Sequence, residues 1–208
     1  MNALVVKVCG LTRAEDVIGC AAAGADLVGC IFAAKSPRHV TPAQAAALPR
    51  TAAKRVGVFV EQTVPEILAI MDAAGLDLAQ LHGEHSPDDC RAIGEGRAIR
   101  TFWPQRYPDV ASLAAAMAAY AGTIRYALLD AGSAGGGHGR TLDWAALATL
   151  AAPMPWLLAG GLGPDNVAEA VRAAKPHGVD LNSGVESSPG LKELTAVRRC
   201  LWALKGKE

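Results

Sequence analysis

"RVGVFVEQTVPEILAIMDAAGLDLAQL" (residues 55–81) places a helical stretch between two apolar, β-rich runs. RVGVFV (55–60) is almost unbroken in its apolarity, as a strand covered on both faces should be. Residues 64–74 read as a helix, Gly75 falls just past its end, and LDLAQL (76–81) reads as the next strand. Two strands joined by one covering helix run parallel, so this stretch predicts a βαβ unit.

The same alternation continues along the whole chain. Further strands are expected at 3–8, 27–32, 98–103, 125–130, 156–160 and 179–183. Further helices are expected at 13–23, 42–49, 87–94, 108–121, 143–150, 165–174 and 190–204. Thr41-Pro42 and Ser86-Pro87 each set a capping residue before a proline suited to the first helical turn. Eight units share 208 residues, roughly 26 each, which leaves room for a strand, a helix and two short loops. The α/β fold this predicts is a single (β/α)8 barrel over residues 1–208 with a parallel eight-stranded sheet. A doubly wound open sheet is the other arrangement that the count permits.

Composition excludes several functions. Twenty basic and twenty acidic residues cancel, which argues against broad binding to nucleic acid or to an anionic membrane. The five cysteines (9, 20, 30, 90, 200) are odd in number and contain no CxxC pair, so a reducing, cytoplasmic setting is expected rather than a disulfide framework or zinc site. No basic stretch followed by an apolar one opens the chain, so no secretory signal is evident. The uncharged run 144–164 is broken by Pro153, Pro155 and Gly160-Gly161, and reads as helix, turn and buried strand rather than a membrane span.

Barrel chemistry gathers at strand C-termini and the loops that follow. That rule selects Cys9, Lys35 to His39, Glu61, Gln80 to His82, Asp130, Gly160-Gly161 and Ser183 to Glu186. "AGGLGPDN" (159–166) and "NSGVESSPG" (182–190) leave the last two strands through glycines, and such turns present backbone N–H groups to a phosphate. "GSAGGGHGRT" (132–141) fails as a P-loop and as a dinucleotide fingerprint; a lid after strand six is the better reading, with a plain surface loop as its alternative. Period-two alternation sends Lys7 and Cys9, and likewise Tyr126, Leu128 and Asp130, to the inner face. An ionised Cys9, steadied by Lys7, could take a proton, and a partly desolvated Asp130 could give one. Each is weaker alone, because free cysteines also pack well and an aspartate also caps loops. Arg38 could clamp a carboxylate by two parallel hydrogen bonds. Gln80 and His82 read as polar contacts to a substrate; His82 and His85 lack the third ligand that a metal site needs.

The motifs "KVCGLT", "DLVGCIFAAKSPRHVTPAQA", "VGVFV", "AQLHGEHSP", "LLDAGSAGGGHGRTLDW", "LLAGGLGPDNV" and "GVDLNSGVESSPGLKE" together resemble the phosphoribosylanthranilate isomerase family of tryptophan biosynthesis. The resemblance covers nearly the whole chain. It implies a (β/α)8 barrel without metal or organic cofactor, acting on a small phosphosugar–anthranilate substrate as a monomer or homodimer. The implied reaction is an Amadori rearrangement of the aminoaldose to 1-(2-carboxyphenylamino)-1-deoxyribulose 5-phosphate. By this resemblance Cys9 is the general base, Asp130 the general acid, and Arg38 the partner of the anthranilate carboxylate. Gly160, Gly161, Ser183 and Gly184 form the phosphate cradle. Asn182, where many members have serine, and His138 depart from the family pattern. The residues alone also permit another phosphosugar barrel enzyme, such as an epimerase or an indole-forming synthase.

Overall fold

The computed structural model describes residues 4–94, 96–130 and 143–206. Eight strands form its centre: β1 (Val5–Val8), β2 (Leu27–Ile31), β3 (Lys54–Phe59), β4 (Leu78–Leu81), β5 (Ala98–Phe102), β6 (Tyr126–Asp130), β7 (Trp156–Ala159) and β8 (Gly178–Leu181). They pair in chain order, all parallel, and β8 returns to β1 with Lys7 opposite Asp180, so the sheet closes into a barrel rather than remaining open. Helices α1 (Ala14–Ala22), α2 (Pro42–Ala47), α3 (Val64–Ala74), α4 (Pro87–Ile93), α5 (Val110–Ala118), α6 (Trp144–Leu147), α7 (Val167–Ala174) and α8 (Leu194–Lys205) alternate with the strands. The starts of α2 and α4 carry the expected caps, since Thr41 and Ser86 each accept from the backbone N–H three residues on.

Strand alternation divides the core in two. Val6, Val8, Val28, Leu81, Leu129, Leu158 and Val179 point outward and pack under helix residues such as Val17, Ile67, Met71, Leu113 and Val197. Each such aliphatic side chain, fully buried, contributes about 1.5–3 kcal/mol. The other face fills the barrel with Leu27, Val56, Leu78, Ile99, Leu128 and Leu157. Two residues further along several strands, that inner face turns polar: Gln80 follows Leu78, Thr101 follows Ile99, Asp130 follows Leu128, and Asp180 follows Gly178. An apolar plug below and polar groups above is what places a site at the strand C-termini.

Two expected elements differ. The helix expected at 190–204 begins at Leu194, because residues before it form a small antiparallel hairpin, β9 (Glu186–Ser188) with β10 (Leu191–Lys192). Lys192 Nζ is the tether: it reaches Asn182 Oδ1 at 3.0 Å and Glu186 Oε1 at 2.8 Å, folding this segment back over the mouth. The helix expected at 143–150 is a single turn, Trp144–Leu147. Among the described residues, no helix is long and apolar enough to cross a membrane.

Candidate active site

The five cysteines are all buried free thiols, yet they are not equivalent. Cys20, Cys30, Cys90 and Cys200 pack in the outer apolar core, while Cys9 belongs to neither apolar cluster. Instead it lines a cavity of about 410 Å³ at the barrel's C-terminal end. Asp130 lines the same cavity, together with Arg38, Gln80, His82, Gly160, Gly161 and Ser183. Gly184 does not. Its backbone packs on the preceding loop so closely that a Cβ there would lie 2.2 Å from the Leu162 carbonyl oxygen. Lys35 and His39 are exposed, and Glu61 lines a neighbouring groove outside the barrel mouth. The proposed lid at 132–141, with His138, lies outside the described residues.

The KVCG motif has a geometric basis. Gly10 has φ +75°, and a Cβ on it would strike Arg38 Cδ at 2.6 Å and Asn182 Oδ1 at 2.7 Å. The turn after β1 therefore lets the β2 and β8 loops close over it. Below, a Cβ on Gly29 of β2 would sit 2.9 Å from Cys9 Sγ, so that glycine makes the space the thiol occupies.

Lys7 is fully buried and its Nζ donates to Asp180 Oδ2 at 2.8 Å. Burial works against its charge, but Asp180 and Cys9 outweigh it and hold the ammonium above the usual lysine range. Burial also pushes the Cys9 thiol up, and Lys7 offsets only part of that. Burial therefore opposes the thiolate that proton removal needs, and the Lys7 cation beside it favours that form.

Arg38 is positioned by Glu186, whose Oε2 accepts from Nη2 at 2.6 Å while Nε lies 2.9 Å from Oε1. Glu186 also accepts from Lys192 Nζ and from the Gly190 backbone N–H at 3.1 Å. Burial alone would raise its carboxyl, but Arg38 and Lys192 prevail and keep it below the usual range. The two-bond edge expected for a substrate carboxylate is therefore taken by a side chain of the protein. A ligand would meet the donors on the remaining edge.

The glycine turn after β7 has φ +103° at Gly160 and +63° at Gly161. Asn166 ties it down, accepting from Gly163 N–H at 2.9 Å and donating to Gly161 O at 3.0 Å. A Cβ on Gly163 would lie 2.7 Å from the Gly184 carbonyl oxygen, so the loops after β7 and β8 form one packed unit. Across the mouth, His82 Nε2 stands 3.8 Å from Asp130 Oδ2. His85 instead meets the Gln62 carbonyl oxygen at 3.1 Å. Among the described residues, no cluster of three or more His, Cys, Asp or Glu could hold a metal ion.

Asp180, Thr101 and Lys192 were not singled out from the sequence. Alternation held a signal for the first: in GVDLN, Gly178, Asp180 and Asn182 share the inner face with a charged residue at its centre. Lys192 gave none, because its partners lie on the β8 loop and its own segment read as helix.

A family model described as N-(5'phosphoribosyl)anthranilate (PRA) isomerase matches residues 6–202. The N-(5'-phosphoribosyl)anthranilate isomerase of Desulfovibrio desulfuricans is 51% identical over 189 residues, covering 91% of this chain and 90% of the relative. The solved phosphoribosyl anthranilate isomerase of Thermotoga maritima superposes with a TM-score of 0.84 at 31% identity, covering 98% and 100% of the two chains. A further structure, of such an isomerase in complex with reduced 1-(o-carboxyphenylamino)-1-deoxyribulose 5-phosphate, has a TM-score of 0.81 at 31% identity, covering 98% and 100%.

Proposed function

The chain belongs to the N-(5'-phosphoribosyl)anthranilate isomerase family, and from that premise we propose how its own side chains divide the reaction. The enzyme converts the aminoaldose N-(5'-phosphoribosyl)anthranilate into the aminoketose 1-(2-carboxyphenylamino)-1-deoxyribulose 5-phosphate, a step of tryptophan biosynthesis. The family match does not favour the alternative of another phosphosugar barrel enzyme.

Asp130 gives its proton to the furanose ring oxygen. The C1–O bond breaks as the anilino nitrogen lone pair forms a Schiff base, and the C2 hydrogen becomes acidic. Cys9, as thiolate, takes that proton, and the resulting enolamine tautomerises to the ketone. Burial disfavours the thiolate but makes it a stronger base once formed, and Lys7 is the cation that steadies it. Gly160, Gly161 and Ser183 bind the phosphate through backbone N–H groups, with Gly184 holding the two loops together. Arg38 meets the anthranilate carboxylate with its outer edge, while Gln80 and His82 supply polar contacts.

The observation that carries this reading is that Cys9 and Asp130, 121 residues apart in the chain, line one cavity. Five unpaired thiols support a reducing, cytoplasmic location. The test is to follow the fluorescence of freshly made phosphoribosylanthranilate. Loss of signal in proportion to added protein supports the assignment, and a signal indifferent to the protein rejects it.

A further inference from the structure

His82 lies just past β4, and its ring nitrogens face different partners. Nδ1 is 3.1 Å from the hydroxyl of Thr101, a fully buried β5 residue, and 3.4 Å from Gln80 Nε2. A hydroxyl can donate or accept, but an amide nitrogen can only donate, so the Gln80 contact places Nδ1 as an acceptor and the Thr101 hydroxyl then donates to it. In a neutral imidazole the hydrogen then sits on Nε2, the atom that looks toward Asp130 at 3.8 Å.

On balance the surroundings disfavour the charged ring. Burial pushes the imidazole down; Asp130 and Asp180 pull it up, while Lys7 from β1 and Arg100 from β5 add to the lowering. Trp103 meets the ring edge-on, with centroids 5.3 Å apart, which restricts its rotation.

We propose that Thr101 holds His82 as its Nε2–H tautomer, making His82 a positioning residue that donates to the Asp130 carboxylate once Asp130 has protonated the ring oxygen. This rests on the reading of Asp130 as the general acid. No proton changes hands at His82: the O–H bond of Asp130 breaks, the new O–H bond forms on the sugar oxygen, and the negative charge left behind accepts from Nε2–H. The present 3.8 Å is longer than a hydrogen bond, and catalytic bonds of this kind commonly shorten only when substrate is bound. A donor aimed at charge that develops during the reaction raises kcat, whereas a donor that only grips substrate lowers KM.

Two measurements test it. Long-range nitrogen–proton NMR of the imidazoles in the intact protein is expected to show His82 bare at Nδ1 and protonated at Nε2. Thr101→Val should mix or invert the tautomers and lower kcat roughly tenfold with KM little changed, and Thr101→Ser, which keeps the hydroxyl, should restore both. An Nδ1–H tautomer in the wild type overturns the proposal. So does a Thr101→Val effect confined to KM, or a Thr101→Ser variant as impaired as the valine. Full activity in Asp130→Asn would instead remove the general acid assignment. The NMR result does not depend on activity, so the two failures are separable.

Discussion

The Lys7 ammonium and the Asp180 carboxylate meet at 2.8 Å across the seam where β1 and β8 close the barrel, beneath the Cys9 thiol. One contact thus joins the two ends of the sheet and sets the charge beside the proposed base. Removing one partner of such a buried pair strands the other without water.

Lys7→Met should therefore lower stability by about 3–5 kcal/mol in urea titration. Lys7→Met combined with Asp180→Leu should recover most of that loss. In both variants Cys9 should be alkylated more slowly than in the wild type at a given pH, because the cation favouring the thiolate is gone. Faster alkylation would show that Lys7 does not serve the sulfur.

Cys9→Ser and Asp130→Asn should each reduce turnover by roughly 10²–10⁴ with the circular dichroism spectrum unchanged. Near-normal turnover in either variant removes that residue from the mechanism.

Gly29→Ala inserts a methyl 2.9 Å from Cys9 Sγ and 3.2 Å from its Cα. Overpacking of this kind costs about 1–3 kcal/mol, and here it also displaces the thiol. The expected result is a modest fall in melting temperature with a much larger fall in kcat. Loss of stability alone would mean that the sulfur moves without consequence.

Arg38→Ala should raise KM by about tenfold or more while altering kcat far less, consistent with loss of a charged hydrogen bond to the substrate. Glu186→Gln should raise KM too, because Arg38 then loses its ionic anchor. An unchanged KM in Arg38→Ala would exclude it as the carboxylate partner.

Alkali should destabilise the fold. Burial pushes Cys20 up to about 12, and Cys30, Cys90 and Cys200 up to about 11, from an ordinary value of 9.0. Unfolded thiols therefore lose protons between pH 9 and 11 that the folded ones keep. Their contribution to stability is complete below pH 9 and drains away as pH rises through that window. Melting temperatures measured from pH 8 to 11 should fall, and less steeply when Cys90 and Cys200 are replaced by alanine.

Sequence reasoning reached the barrel because its signals are local. Near-continuous apolar runs mark the strands, Thr41-Pro42 and Ser86-Pro87 mark helix starts, and eight repeats of one unit leave few ways to close. It placed Cys9 and Asp130 at the mouth for the same reason, since a residue's place at a strand end can be counted along the chain. It missed the small hairpin before α8, where the determining contact is Lys192 with Asn182 and Glu186.

What the chain alone determined is which residues could stand at the barrel's mouth and on which face of each strand. What the tertiary structure decided is whom they meet. Glu186 occupies the edge of Arg38, Asp180 partners Lys7, Thr101 lies against His82 Nδ1, and burial opposes the ionisation of Cys9. Alternation and caps are written in neighbouring residues. Hydrogen-bond partners and desolvation depend on side chains brought together from strands far apart in the chain, and closure of the sheet is what brings them together.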